Sequence, residues 1–222
     1  MKFSGRHFPK DVILTTLRWY LRYKLSYRDV EELIGERGLK VDHSTVNRWV
    51  IKYAPLLAAV ARRHKRAVGL SWRLDETYIK VAGGWKYYYR AVDKEGDTID
   101  FLLTAKRDKL AATRFLRQAI RNNCTPAKIN IDKSGSNTSA IKAYNDEAGT
   151  DIEIRQCKYL NNIVEQSHRS VKQKTRAALG FKAFHSAHAT LQGVEVVQMI
   201  RKGQVRPVSE GCFIDQFNSL AA

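Results

Sequence analysis

Three acidic residues, Asp75, Asp132 and Glu165, stand where their side chains can act together. Asp75 is in the middle of the extended run Arg73 to Val81. Asp132 closes the alternating segment Lys128 to Asp132, and Glu165 falls in the first turn of a helix expected from about Ile163 to Ala178. Breaking or joining a phosphodiester in line requires stabilising both the entering and the leaving oxygen, which two metal ions held by carboxylates accomplish. Magnesium takes oxygen ligands from a few carboxylates and the substrate phosphate and keeps several waters, so three acids suffice and neither His nor Cys is wanted. Lys172 follows Glu165 by seven residues, two helical turns, and therefore shares its face, where an ammonium suits a DNA phosphate. His168 and Arg169 share that neighbourhood. Singly, each acid has an ordinary reading: Asp75 an exposed strand residue beside an equally ordinary Glu76, Asp132 a turn former, Glu165 a first-turn acid complementing the helix dipole. Jointly, their elements, their order and the trailing cation agree with one metal site.

The elements that must position them follow from periodicity. Trp72 to Val81, Trp85 to Val92 and Thr98 to Thr104 read as three strands joined by turns at Gly83-Gly84 and Asp93 to Asp97. Asp108 to Asn122 is helical by its Leu110, Phe115, Leu116 and Ile120 spacing, Lys128 to Asp132 is a strand, Ser139 to Glu147 a helix and Ile152 to Arg155 a fifth strand. The expected order βββαβαβα is that of a ribonuclease H-like fold, in which the first and fourth strands are neighbours. Ala183 to Lys202 reads as a further helix ended by Gly203, and Val205 to Ala222 as a tail; His185 and His188, without acidic or Cys partners, read as packing or contact residues rather than metal ligands.

Ahead of this lie three helical stretches. Asp11 to Lys24 carries a core stripe, and Ser26 with Asp29 forms a capping pair before Val30, Leu33 and Ile34. Asp42 or Ser44 can cap a third helix, which Pro55 is expected to stop. A helix-turn-helix would present Ser44, Thr45, Asn47, Arg48 and Lys52 outward, groups suited to base edges and phosphates. Charge agrees: 39 Lys and Arg stand against 22 Asp and Glu, a net +17, and residues 1 to 70 hold +9 of it. A balance that basic implies a polyanionic partner, and without a long basic amphipathic helix nucleic acid is favoured over a membrane surface. The run Arg62-Arg63-His64-Lys65-Arg66 reads as a basic connection between the helical and the stranded regions.

Several classes are set aside by what is missing. Cys124, Cys157 and Cys212 are far apart, giving neither a zinc pattern nor a disulfide framework, and read as buried or idle thiols of a reducing cytoplasm. No apolar run can span a bilayer, and no Walker lysine motif or GxGxxG loop is present.

The segments Asp75-Glu76-Thr77-Tyr78, Ile131-Asp132-Lys133-Ser134-Gly135, Lys158 to Glu165 and Gly180-Phe181-Lys182 resemble small bacterial insertion-sequence transposases of the group typified by insertion sequence six. Gly5-Arg6-His7-Phe8, Ser26-Tyr27-Arg28 and Asp42 to Trp49 extend the resemblance over nearly the whole chain. The interval from Asp132 to Glu165 is slightly shorter than the group's pattern. The resemblance implies an α/β (α+β) chain with a helix-turn-helix domain (1–60), a basic linker (61–70), a DDE catalytic domain (71–180) and a C-terminal helix and tail (181–222). It implies Asp75, Asp132 and Glu165 as catalytic metal ligands and Ser44, Thr45, Asn47, Arg48, Lys52, Arg169 and Lys172 as DNA contacts. It further implies two Mg2+ ions, with Mn2+ as substitute, and double-stranded DNA as partner, both terminal inverted repeats and target. A homodimer or larger assembly at synapsis and a cytoplasmic, nucleoid-associated location complete the expectation. Two other functions are open to the residues alone: a regulator with incidental carboxylates, and a nuclease that cleaves without joining. Short inverted repeats flanking the gene would mark the transposase.

Overall fold

The structure is a computed structural model that describes residues 1, 3, 7–132, 135–206 and 211–221. Gly5-Arg6 and Lys133-Ser134, named above in two motifs, lie outside the described residues. Two compact units are present, and the chain passes between them more than once.

The helical unit comprises residues 1–66, 81–83 and 171–222. Its first helix, α1 (Lys10–Arg22), buries Ile13, Leu14, Leu17, Tyr20 and Leu21. The second, α2 (Tyr27–Gly35), starts at the expected capping box: the Asp29 amide donates to Ser26 Oγ at 3.2 Å, and the Ser26 amide donates to Asp29 Oδ2 at 2.7 Å. For α3 (His43–Arg63) the cap is Asp42, whose Oδ1 accepts the Ser44 amide at 2.8 Å.

Pro55 does not stop α3, contrary to expectation; the helix continues to Arg63. An interior proline forfeits one helical hydrogen bond and crowds the preceding turn, at about 3 kcal/mol. Burial of Ala54, Leu57, Ala58 and Ala61 on both sides of it offsets that cost, a fully buried leucine alone contributing roughly 1.5 to 3 kcal/mol. The basic run is consequently held: Arg62 and Arg63 end α3, complementing its dipole, and Lys65 pairs with Val205 in an antiparallel bridge.

The partner of α3 and α1 comes from the other end of the chain. Helix α7 (Phe184–Arg201) packs on both, and a short α8 (Phe213–Ser219) follows where a tail was expected, with Phe217 buried. Gly193 sets the closest approach: a Cβ there would lie 2.6 Å from Leu21 Cδ2 and 3.0 Å from Ala54 Cβ. The second half of α6 (Asn162–Ala177) also belongs to this unit. Its Lys174 is buried, donates to the carbonyls of Tyr23 and Leu25 at 3.4 and 2.7 Å, and lies 3.3 Å from the centre of the Tyr20 ring, itself stacked on Tyr27 at 4.2 Å.

The sheet unit comprises residues 67–80 and 84–170. Five strands, β1 (Ser71–Val81), β2 (Gly84–Asp93), β3 (Thr98–Thr104), β4 (Lys128–Ile131) and β5 (Glu153–Gln156), lie in the order β3-β2-β1-β4-β5. Strands β2 and β3 pair antiparallel, whereas β1 with β4 and β4 with β5 pair parallel. Parallel neighbours need crossovers, which α4 (Lys109–Asn122), capped by Asp108, and α5 (Gly135–Ala148) supply. This is the ribonuclease H-like order expected. Trp72, Leu74, Tyr89, Phe115, Leu116, Ile129, Ile131 and Ile141 belong to its core.

Two outcomes test this packing. Gly193→Ala gains about 1 kcal/mol of helix propensity, yet overpacking costs roughly 1 to 3 kcal/mol, so urea unfolding should show a less stable protein. Higher stability would mean that Leu21 turns aside freely. Burial lowers the Lys174 pKa from its ordinary 10.5 to about 7, against the opposing pull of Asp29, while Tyr20 and Tyr27 are shifted upward and stay neutral. Below pH 7 the ammonium is charged in both states and its burial penalty is present in full. Between about 7 and 10.5 the unfolded chain holds the proton that the folded chain has released, so stability rises with pH. The melting temperature of the wild type should therefore rise relative to Lys174→Met across that window; a constant difference would show the lysine charged when folded.

Candidate active site

Asp75 sits mid-strand in β1, and Asp132 immediately follows β4. The parallel register pairs Ser71 with Lys128, Trp72 with Ile129 and Arg73 with Asn130. Carried on by two residues, the same register would set Asp132 level with Asp75, although β4 ends at Ile131, one residue short of Asp132. Glu165 is exposed in the first turn of α6. Among the described residues, the group of three whose ligand atoms all lie within 4.8 Å is Glu31, Asp42 and His43 in the helical unit; Asp75, Asp132 and Glu165 do not form such a group. Their chemistry, three hard oxygen donors with one on an exposed side chain able to turn, nonetheless fits magnesium.

What anchors the start of α6 is a buried amide network. Asn130, inside β4, donates from Nδ2 to Asn161 Oδ1 at 2.6 Å and to the Cys157 carbonyl at 2.9 Å, and its Oδ1 accepts the Cys157 amide at 3.3 Å. Asn161 ends a 3₁₀ turn (Lys158–Asn161) and donates to the Leu74 carbonyl at 3.5 Å, one residue before Asp75. Two buried asparagines thus tie the turn leading into the Glu165 helix to both aspartate-bearing strands. The signal for Asn130 was present, a lone amide between Ile129 and Ile131 in an apolar strand, because a buried polar group must find a partner.

Two neighbours complete the surroundings. His168, 1% exposed, brings Nε2 to 3.3 Å from Asp75 Oδ2, outside hydrogen-bond geometry. Glu76 points to different partners, as strand alternation requires, but it is not the ordinary neighbour expected: it is buried, accepts from Arg107 Nε at 2.5 Å and accepts from Asn137 Nδ2 at 3.1 Å. Burial raises its pKa, and the charge of Asp132 adds to that, while Asn137 and Arg107 oppose it. Burial, reinforced by the charge of Glu76, pushes the Tyr89 phenol up to about 12, so it remains a neutral hydroxyl. Glu76, Arg107 and Asn137 are therefore a built polar cluster, near enough to Asp132 for its charge to act on Glu76. Arg169 and Lys172 are exposed on α6.

On α3, Ser44, Arg48 and Lys52 are exposed and Thr45 and Asn47 half-buried; Arg48 donates to Thr45 Oγ1 at 2.8 Å, and Lys52 lies 5.4 Å from the centre of the Tyr53 ring. The three cysteines are free, and all are exposed rather than buried. Among the described residues no helix is long and apolar enough to cross a membrane.

The amide network predicts energetic coupling. Asn161→Ala should cost roughly 1 to 3 kcal/mol by taking one partner from Asn130 Nδ2 and the donor from the Leu74 carbonyl, and Asn130→Leu with Asn161→Ala should cost less than the sum of the two singles by about 1 kcal/mol. Additive losses in urea unfolding would show that the two amides do not act through each other.

The chain is similar to several known proteins. A family model described as a DDE domain matches residues 69–204. The transposase for the insertion sequence-like element IS431mec of Staphylococcus aureus strain Mu50 is 42% identical over 206 residues, covering 90% of this chain and 88% of the relative. The Staphylococcus aureus transposase for insertion sequence element IS257 in transposon Tn4003 is similar to the same extent. Among solved structures, the catalytic core domain of HTLV-2 integrase in complex with magnesium, in its trimeric form, superposes with a TM-score of 0.49 at 14% identity, covering 64% of this chain and 97% of that one. The BIV integrase catalytic core gives 0.46 at 17% identity, over 65% and 88%. A DDE domain over most of the chain, and close relatives along nearly all of it, mean that this chain belongs to the insertion-sequence DDE transposases of the group typified by insertion sequence six.

Proposed function

We propose that this transposase binds the terminal inverted repeats of its element through the outward face of α3 and joins the element ends to target DNA with magnesium held by Asp75, Asp132 and Glu165. The observation that supports the reading is the parallel pairing of β1 with β4, the strands that carry Asp75 and lead into Asp132, with the Glu165 helix tied to them through Asn130 and Asn161. Bound magnesium supplies the positive charge that an in-line exchange of one phosphodiester for another requires at the entering and leaving oxygens.

The chain's own residues do the rest. Asp75, Asp132 and Glu165 offer oxygen ligands. His168, packed against Asp75, restricts the rotation of that carboxylate, and the Glu76, Arg107 and Asn137 cluster limits the room around Asp132. Arg169 and Lys172, on the helix that carries Glu165, hold DNA phosphates. Ser44, Thr45, Asn47, Arg48 and Lys52 meet the terminal repeat, their hydroxyl, amide and cationic groups matching base edges and backbone. The charge of +17 draws DNA to both surfaces. Joining two ends to one target requires at least two active sites, so the working form is a homodimer or larger.

Glu165→Gln keeps the helix and removes one anionic ligand. Its rate of magnesium-dependent joining of a labelled terminal-repeat end to a plasmid should fall roughly a thousandfold or more, while gel-shift binding of the same DNA persists. Asp75→Asn and Asp132→Asn should behave alike, and Glu147→Gln, a surface change on α5, should remain at the wild-type rate. Joining at the wild-type rate by Glu165→Gln would remove Glu165 from the reaction. Cleavage by the wild type without any joined product would make the protein a nuclease.

A further inference from the structure

Three of the sequence segments that the catalytic reading leaves unused converge within the helical unit. Ser26 and Tyr27 at the start of α2, His43, Ser44 and Asn47 at the start of α3, and Ala178, Gly180, Phe181 and Lys182 between α6 and α7 border one cavity of about 340 Å³, with Tyr20 and Ser186. The chain builds this space by local means. Leu179 and Gly180 both take left-handed conformations, with φ of 51° and 87°, and reverse the chain after α6. The Phe181 carbonyl then accepts the Ala82 amide at 2.7 Å, which fixes the backbone beside Lys182.

The groups at the cavity are of two kinds. Aromatic faces form one: Phe181 is buried, and Tyr27 stacks on Tyr20 at 4.2 Å with planes 16° apart, with the Lys174 ammonium 3.3 Å from the Tyr20 centroid. Polar and cationic groups form the other: Lys182 and Ser44 are exposed, and Ser26, Asn47 and His43 half-exposed. His43 is oriented. Glu31 Oε2 accepts its backbone amide at 3.1 Å and lies 2.9 Å from its Nδ1. A carboxylate only accepts, so Nδ1 carries the proton and Nε2 is left as an acceptor, suited to an N–H of a base rather than to a phosphate oxygen.

Flat aromatic surfaces beside hydroxyls, an amide and a cation suit a planar base that carries a phosphate. Among the described residues that line the cavity there is no carboxylate, and Glu31 and Asp42 face His43 on its Nδ1 side, at 2.9 and 3.4 Å. Its volume lies at the small end of ordinary ligand pockets, enough for one nucleotide and too little for a base pair with its backbones. Ser44 and Asn47 also belong to the outward face of α3, so a nucleotide in this space would remain continuous with DNA on that helix. We propose that the cavity receives one nucleotide turned out of the DNA stack, its base against Tyr27 and Phe181 and its phosphate at Lys182. This rests on the reading that α3 binds DNA. Extrusion costs unstacking energy, least where a base is already unpaired, and stacking on an aromatic ring returns it for any base.

The test uses the full chain and two short random-sequence duplexes, identical except that one carries a single unpaired thymidine, with binding read by fluorescence anisotropy. The wild type should bind the bulged duplex roughly tenfold more tightly than the paired one. Lys182→Ala and Tyr27→Leu should bring that ratio close to one while still binding the paired duplex. Equal wild-type affinity for the two probes would overturn the nucleotide cavity and leave DNA binding by α3 standing. Failure to bind either probe would overturn both readings, and a bulge preference retained in both variants would place the unpaired nucleotide elsewhere on the protein.

Discussion

The parallel pairing of β1 with β4 is the constraint on which the candidate active site depends. An antiparallel partner would run Asp132 away from Asp75, and a one-residue slip would turn one of the two carboxylates to the opposite face. The paired residues end at Arg73 and Asn130, two short of each aspartate, and β4 itself ends at Ile131, just before Asp132. Polar groups then gather there because the strand end cannot be closed by apolar side chains alone. Asn130 donates an amide hydrogen bond to Asn161 inside the sheet unit, and Glu76 is paired with the Arg107 cation and accepts from the Asn137 amide. Each is a buried polar group whose cost is met only if every partner is in place.

The same economy of partners shapes the helical unit. Three N-terminal helices of this length cannot close a core by themselves, and α7, more than 120 residues downstream of α3, covers them. Gly193 permits that approach because any side chain would enter the space of Leu21. Lys174 is the expensive component: an ammonium nearly stripped of water, compensated by two carbonyls and an aromatic face. Those contacts join α6 to the segment between α1 and α2, and they hold the tyrosine pair that borders the cavity.

Much was determined by the sequence itself. Strand and helix periods gave the βββαβαβα order, since side-chain alternation is a local property, and the Ser26 and Asp42 caps could be read from residue type and spacing because a cap acts within three residues. The three candidate carboxylates were found by their types and by the elements on which they fell, and net charge pointed to a polyanion without any knowledge of shape. Tertiary structure decided what depends on partners distant in the chain. Pro55 reads as a stop signal, yet burial on either side of it carries α3 on to Arg63. Glu76 reads as an exposed neighbour of Asp75, but Arg107 and Asn137 reach it from 31 and 61 residues away and make its burial tolerable. Asn130 with Asn161, α7 over α3, and the meeting of Tyr27, His43 and Lys182 at one cavity were likewise invisible to spacing, because each arises only when the folded chain brings remote segments within hydrogen-bond or van der Waals range.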